Sequence, residues 1–555
     1  MESIFLLLAG TSTRYAIFAV LTGIALLVAA WSPRRVKPIG YLAALGLFLL
    51  ACRWPLAALN IEAAVDDSQA LAGAMRLSAH PIPWKYVDLN TVGPLNMLPV
   101  VALSWIGIPI EFSTSHFTAV FMLWIALGGT YLVLREEADE RVARCGVLPA
   151  VLFFALTTFY DFAYSTSEHV PMALIGAGSA LLWQGAWRGV VWRVLLGTTA
   201  LGATPWAKLQ TVPLAAWFCV AGGLLIAWRW RGERPRLWRL LAAWLAGGVL
   251  VSALFGAMIL IWGLGRQWYL AYIQQAFNYK AMGVLSFSEF WRAVPDFSRH
   301  TPELRVYVVT LSLLGLMLVG AAIFVVPRRW MTLGVLAVAA MVAVYIIAAP
   351  GRLFFHYFLL GVIPLCMVVA ALLDAVLDRV STVRSRWFVH GVLAAFLAAT
   401  LVPQIRGRMD RGHPGVPYKR GQIMLHVSEP ARVLAEAARP GDTMTIWGWA
   451  SRLHIESRIP QATRDGMTER QILANPLREF YRTRYLFDLR RHQPRFFVEA
   501  VGPGMFAYED RARDGFETWP ELREYVAAHY ELLREVGSCR IFVRRSGAEE
   551  SAASP

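Results

Sequence analysis

Charge is scarce in this chain. Asp, Glu, Lys and Arg make up 16% of its 555 residues, where a soluble domain carries about 25%. Hydrophobic residues supply 57% and the mean hydropathy is +0.47, which excludes an ordinary soluble domain and places the chain among multi-pass membrane proteins. Cysteine is sparse too. Cys52, Cys145, Cys219, Cys366 and Cys539 are scattered, four of them in or beside apolar runs, with no C-x-x-C or Cys/His spacing; neither a disulfide framework nor a zinc site follows. Also missing are the phosphate-cradling G-x-x-x-x-G-K-[ST] loop, the G-x-G-x-x-G dinucleotide fingerprint and the H-E-x-x-H zinc helix. The loops assigned to the inner side are too short to build a nucleotide-binding domain, so an enzyme of this kind would take an activated donor already in the membrane.

What the chain has in quantity fits that class. Twenty-two Trp and 18 Tyr favour the headgroup level, where an amphipathic ring is half solvated. The net charge of +15 and pI near 9.8 come from short basic clusters between apolar runs, such as Arg34, Arg35 and Lys37, or Arg229, Arg231, Arg234, Arg236 and Arg239. Clusters of that form are positive-inside anchors, so the charge reads as topology and no nucleic-acid partner is expected.

A crossing needs about 20 predominantly apolar residues, and roughly a dozen segments qualify: 13–31, 39–59, 116–134, 146–163, 170–187, 191–206, 209–228, 239–262, 306–326, 330–348, 357–377 and 388–403. The first is expected as a retained helix, because no small-residue cleavage site ends it. Segment 95–110, rich in Pro and Gly, is placed along the interface. One set of loops holds Arg34, Arg35, Lys37, Arg135, Arg141, Arg144, Arg188, Arg193, Arg328, Arg329, Arg379, Arg384 and Arg386 together with the Arg229 to Arg239 cluster, and should be cytoplasmic. The other set contains 60–95, 264–304, the surroundings of Glu168, Lys208 and Arg352, and everything after 403. The expectation is a plasma (inner) membrane protein with its polar residues gathered on the outer face.

Composition changes near residue 404. The fold class expected is therefore an all-α polytopic membrane domain over 1–403, an extracytoplasmic α/β domain over 404–545 and a disordered tail over 546–555. Strand-like runs lie at Thr443 to Trp447, Arg495 to Val501 and Arg540 to Arg544, with helical patterns at 430–438, 467–479 and 519–529.

The candidate chemistry starts in the 60–95 loop, where Asp66 and Asp67 open the helical pattern DDSQALAGAMRL. Either acid could simply cap that helix; alternatively, one orients while its neighbour serves as general base for an acceptor hydroxyl or amine. Glu168, in YSTSEHVPMAL, stands where an apolar run has reached the outer face, as a loop acid, a cap or a functional acid. Lys208, in ATPWAKLQTVPL, breaks two short apolar segments and either snorkels to water or pairs with an anion such as phosphate. The run APGRLFFHYFLLGVIPL offers Arg352, His356 and Tyr357, as interfacial anchors or as ligands of a phosphodiester. Arg266, Lys280, Tyr269 and Tyr272, in RQWYLAYIQQAFNYK, are less specific candidates of the same kind. Asp66, Asp67 and Glu168 could hold Mg²⁺ or Mn²⁺ near a phosphate, or act without a metal.

The order of these features resembles the GT-C glycosyltransferases, in particular the protein O-mannosyltransferase and aminoarabinose transferase group of the dolichyl-phosphate-mannose mannosyltransferase type. The resemblance rests on the paired acids, a GPL segment, Glu168, the Lys208 break, the PGRLFFHYFLLGVIPL helix start and the tail segment IWGWASRLHIESRIPQATRD, and it covers most of 39–403. It implies that Asp66 is the base of the family's acid pair, that Asp67 stands where Glu is usual, and that Glu168 and Lys208 occupy the family's acidic and basic positions, with Ala207 where Thr is usual. The implied reaction is inverting transfer of one sugar from a polyprenyl-monophosphate carrier to a lipid, glycan or protein acceptor on the outer face, with the carrier's tail among the helices and membrane lipids. The catalytic residues so implied are Asp66, Asp67 and Glu168; those for the donor phosphate are Lys208, Arg352, His356, Tyr357 and Arg266, gathered in one cleft. A transporter or lipid flippase would share the many helices but tends to carry internal repeats and midplane charges, which are missing here. A ligase using a polyprenyl-diphosphate donor would need the same outer cavity, while a noncatalytic scaffold gives the acids and Lys208 no reason to converge.

Overall fold

The computed structural model describes residues 12–88, 90–322, 330–379, 391 and 423–545. The chain groups into two compact units: Met1–Ala58 with His116–Met258 and Lys280–Lys419, and Leu59–Ser115 with Ile259–Tyr279 and Arg420–Pro555. The loop expected to belong to the 1–403 domain thus shares a compact unit with the tail. The expected span at 388–403 and the tail at 546–555 lie outside the described residues.

In the first unit the apolar runs become helices, among them Ser12–Trp31, Pro38–Ala57, His169–Arg188, Val191–Ala203, Val212–Arg229, Arg234–Ile261, Pro302–Ala322, Trp330–Ala348 and Leu359–Arg379. Six helices among the described residues are long and apolar enough to cross a membrane, against the dozen or so expected from the sequence. Length explains part of the difference. Val191–Ala203 has 13 residues and extends only about 20 Å, short of a hydrocarbon core of about 30 Å. It packs instead against His169–Arg188 through small residues that let backbones approach: a Cβ on Gly197 would stand 2.4 Å from the Leu182 nitrogen.

The span expected at 146–163 is broken. A helix runs Glu140–Leu156, the chain unwinds, and a single turn follows at Tyr160–Ala163. The cause comes from another helix: Arg53, 1% exposed within Pro38–Ala57, donates to Thr157 O at 3.3 Å and Phe162 O at 2.7 Å. Those bonds satisfy carbonyls that an unwound segment would otherwise leave without donors. Arg144, assigned by sequence to the basic anchors, is likewise buried, with Nη1 and Nη2 on the carbonyls of Ala29 (2.7 Å) and Val36 (2.9 Å) and Nε on Glu140 (2.8 Å).

The second unit is built on a four-stranded sheet of order β1-β2-β4-β3, with β1 Met444–Gly448, β2 Phe496–Ala500, β3 Tyr530–Val536 and β4 Cys539–Arg544. β1 and β2 are parallel, and the β2-β4 and β4-β3 pairs antiparallel. Alternate residues face opposite cores. Met444, Ile446, Phe496 and Val498 join Ala431, Val433 and Leu434 of the helix Glu429–Ala437. Trp447 and Phe497 meet Tyr485 and Leu489 of Arg478–His492 and Leu522 and Val526 of Pro520–His529. The three strand-like runs read from the sequence are strands here; β3 and the helix Arg478–His492 are additional, and the helical pattern expected at 467–479 shrinks to Glu469–Ile472.

The loop joins this module through its own core. Leu71, Ala72, Ala74 and Leu77 of the helix Val65–Ala79 pack with Val87, Met97, Val101 and Phe112 and with Ile455 from the tail. Segment 95–110 contributes a short helix, Leu98–Trp105, with Leu98, Trp105 and Ile106 exposed. Beyond it, Asp88 and Asp465 share two guanidinium groups. Arg470 reaches Asp88 at 3.1 Å and Asp465 at 2.6 Å, and Arg484 reaches them at 2.6 and 2.8 Å, every side chain being at most 4% exposed. Burial pushes both carboxyls up; Arg470 and Arg484 overcome it at Asp88, which sits below the ordinary range, while Asp465 stays above it.

Candidate active site

In the first unit, the site is organised by prolines. Pro205 and Pro213 each lack an N–H and restrict the residue before them, so the helix Val191–Ala203 stops and Val212–Arg229 begins anew, with single turns at Thr204–Trp206 and Leu209–Thr211 between them. Lys208 sits extended at the centre. Its backbone N–H donates to Thr204 O at 2.9 Å and its carbonyl accepts from Thr211 Oγ1 at 2.8 Å.

The Lys208 ammonium is 5% exposed as a residue and bonded to the fully buried Glu168 carboxylate and to Ser167 Oγ at 2.6 Å. Its Nζ also lies 5.0 Å from the centre of the Tyr357 ring, within cation–π range. Burial alone would push the Glu168 carboxyl up; Lys208 and His356 hold it below the usual glutamate range. As the residue preceding the helix His169–Arg188, Glu168 makes no side-chain cap bond, so the ion pair takes the place of the capping role open from sequence.

His356 and Tyr357 share the turn Phe355–Phe358, with Tyr357 buried. His356 Nδ1 lies 3.6 Å from Asp161 Oδ2, both side chains 12% exposed. Asp161 was invisible in the sequence because it falls inside a run that reads as one crossing. The turn itself is framed by Phe355 against Phe297 and Phe159, with ring centres 3.8 and 4.6 Å away. Arg352 follows Gly351, whose φ of +65° and close approach to Leu285 O (2.7 Å from a Cβ) demand glycine. The Arg352 Nη2 lies 3.5 Å from Met282 O.

In the second unit, Asp66 and Asp67 occupy the first turn of Val65–Ala79. The residue capping that helix is Ala64, with no side-chain bond, so the capping reading of the two acids gives way to favourable placement at the positive end of the helix. The pair is divided by environment. Asp66 is exposed, whereas Asp67 is 3% exposed and accepts from Ser115 Oγ at 2.6 Å. Asn60, 2% exposed, fixes the approach: its Nδ2 donates to Glu111 Oε2 at 2.6 Å, its Oδ1 accepts from Ser113 N at 3.3 Å and its carbonyl from His426 N at 3.1 Å. Glu62, which sequence reasoning passed over, lies 3.5 Å from Arg452; burial pushes its carboxyl up, opposed by Ser68 and Arg452. Arg266 belongs to this unit, exposed and 5.7 Å from the Phe480 ring. Among the described residues, no three His, Cys, Asp or Glu side chains gather to hold a metal ion.

No protein-family model and no curated protein matches the chain. Among solved structures, ArnT from Cupriavidus metallidurans bound to undecaprenyl phosphate matches with a TM-score of 0.55 and 14% identity, over 92% of this chain and 98% of that one. The same protein in the apo state gives 0.51 and 12% identity, over 90% and 97%. The fold is therefore shared with ArnT, which agrees with the resemblance to the GT-C glycosyltransferases drawn from the order of sequence features. The likeness to ArnT runs along nearly the full length of both chains.

Proposed function

We propose that this protein is a multi-pass membrane glycosyltransferase that moves one sugar from a polyprenyl-monophosphate carrier to an acceptor on the extracytoplasmic face of the plasma membrane. The observation that carries the reading is the fold shared over 92% of the chain with ArnT, one of whose structures is bound to undecaprenyl phosphate. The loop and tail unit then lies outside the cytoplasm, consistent with the basic clusters that flank the helices elsewhere.

In the proposed step Asp66 accepts the proton of the acceptor hydroxyl or amine as that atom attacks the anomeric carbon. The bond from this carbon to the phosphate oxygen breaks, with inversion, and the electron pair leaves on the polyprenyl phosphate. Lys208, Arg352 and His356 stabilise the charge developing on that phosphate, and Tyr357 lines the site. Asp161 holds the His356 ring, and Glu168 fixes the Lys208 ammonium while no phosphate is bound. Asp67, bonded to Ser115, orients the turn on which Asp66 stands. The exposure of Asp66 beside a buried partner supports this division, since a base must reach its proton. Arg266, set against Phe480, is a further candidate for the donor phosphate.

The test is turnover of a radiolabelled polyprenyl-phosphate sugar by the purified protein in lipid nanodiscs, following loss from the carrier and gain in a water-soluble or lipid acceptor. Asp66→Asn should stop transfer while leaving binding of the carrier intact; full turnover in that variant removes Asp66 as the base. Retention of anomeric configuration in the product would exclude the single displacement.

A further inference from the structure

In the second unit the Arg76 side chain is largely buried, with its Nε sealed from solvent. It is 8% exposed, and it makes no hydrogen bond and no ion pair with any described residue. Its nearest company is aromatic and basic. The guanidinium carbon lies 5.6 Å from the Tyr86 ring centre, His80 stacks on the same ring at 4.7 Å, and Lys85 Nζ stands 5.4 Å from it and 3.7 Å from Trp262. The one carboxylate acting on Arg76 is Asp488, and it is already engaged: Arg464 binds it through Nη2 at 2.9 Å, through Nε at 3.1 and 3.2 Å and through its backbone N–H at 3.0 Å.

Two histidines register the surplus. His80 is held below its ordinary range by burial and by Arg76, and His492 by burial together with Arg76, Arg491 and Arg464, against the pull of Asp488. Arg76 does lie in the last turn of Val65–Ala79, where a cation suits the helix dipole. That favourable term does not satisfy the buried Nε donor, which stays unbonded at a cost. Only Nε is sealed from solvent without a partner, which leaves the two terminal nitrogens as the face Arg76 offers. A planar pair of N–H₂ groups matches two oxygens of a phosphoryl group.

We propose that Arg76, grouped with His80 and Lys85 around the Tyr86 ring, is a binding site for a phosphoryl group. The proposal does not depend on the transferase reading. The phosphoryl group comes either from a lipid headgroup or from a soluble phosphate ester.

The experiment follows the denaturation midpoint of the full chain in phosphatidylcholine nanodiscs, titrated with inorganic phosphate against chloride at equal ionic strength, with a second set of nanodiscs containing phosphatidylglycerol. The midpoint should rise with phosphate, with phosphatidylglycerol, or with both, and the active arm identifies the source. In Arg76→Gln the starting midpoint should be no lower, because a buried unbonded Nε donor has gone, and the apparent affinity for the active anion should fall at least about tenfold. Arg76→Lys keeps the charge but loses the fork and should bind more weakly than the native protein, which keeps the proposal testable if the glutamine variant fails to fold. Absence of any response in the native protein, or an unchanged response in both variants, overturns the assignment.

Discussion

The ammonium of Lys208 is bonded to the carboxylate of Glu168, 40 residues earlier in the chain, with both side chains at most 7% exposed. Neither charge has bulk water as an alternative. Removing one therefore leaves the other buried and uncompensated, a change that costs about 3–5 kcal/mol. Lys208→Met should lower the denaturation midpoint accordingly, and adding Glu168→Gln should recover part of the loss. Because Glu168 titrates below its unfolded value, the pair's contribution is complete above about pH 4.5 and is lost as pH falls through the depressed folded value. A double variant no more stable than Lys208→Met would show that the two charges do not depend on each other.

The unequal settings of Asp66 and Asp67 predict unequal kinetics. Asp66→Asn removes the proposed base and should reduce transfer by about 10²–10⁴-fold. Asp67→Asn can still accept from Ser115 through its side-chain oxygen and should retain more activity than Asp67→Ala, which cannot. Steady-state rates on a labelled donor separate the three; equal losses in the two Asp67 variants would mean that the bond to Ser115 is not what positions the turn.

The unit built on the four-stranded sheet should lose stability in mild acid through His454. Its Nδ1 donates to Ile459 O at 2.8 Å, its Nε2 is buried with no partner among the described residues, and burial pulls its pKa down to about 4. The unfolded chain, with an ordinary histidine near 6.5, binds the proton first, so stability is intact above about pH 6.5 and declines toward pH 4 at about 1.4 kcal/mol per unit. Denaturant midpoints between pH 7 and 5 should slope less in His454→Gln; identical slopes would assign the acid sensitivity elsewhere.

Asp88 joins a loop to the tail through two guanidinium groups. Asp88→Ala removes one of two buried acids and leaves Arg470 and Arg484 facing Asp465 alone, which should cost about 3–5 kcal/mol. The same change should make residues 80–90 susceptible to limited proteolysis in the native state. Protection equal to that of the unmutated chain would mean the apolar contacts around Val87 hold the loop by themselves.

How much of this was readable from residues alone follows a physical line. Long apolar runs became helices, and Lys208 between two short apolar segments marked a break that Pro205 and Pro213 enforce, because local chemistry decides both. The break at Thr157 was hidden, since it depends on Arg53 from a distant helix, and Asp161 was hidden with it. The helix Arg478–His492 carried its signal in Tyr481, Tyr485 and Leu489, spaced four apart and all buried, but the Arg residues between them gave the segment the look of a solvated stretch. Strand β3 lacks alternation because its five central residues are exposed, so period-two reasoning had nothing to find. The environments that separate Asp66 from Asp67 come from Ser115, a tertiary partner with no local trace.

The 382 residues between Asp88 and Arg470 also impose an order of events on biosynthesis. At about 5–20 residues per second, a ribosome needs roughly 20–80 s to travel from one to the other. Throughout that interval the acid-bearing segment exists without Ile455 and without either guanidinium, so the apolar helices can be laid into the bilayer well before the portion holding Asp66 acquires its final shape. A nascent chain stalled ahead of residue 455 should therefore carry inserted helices and an immature, protease-sensitive loop.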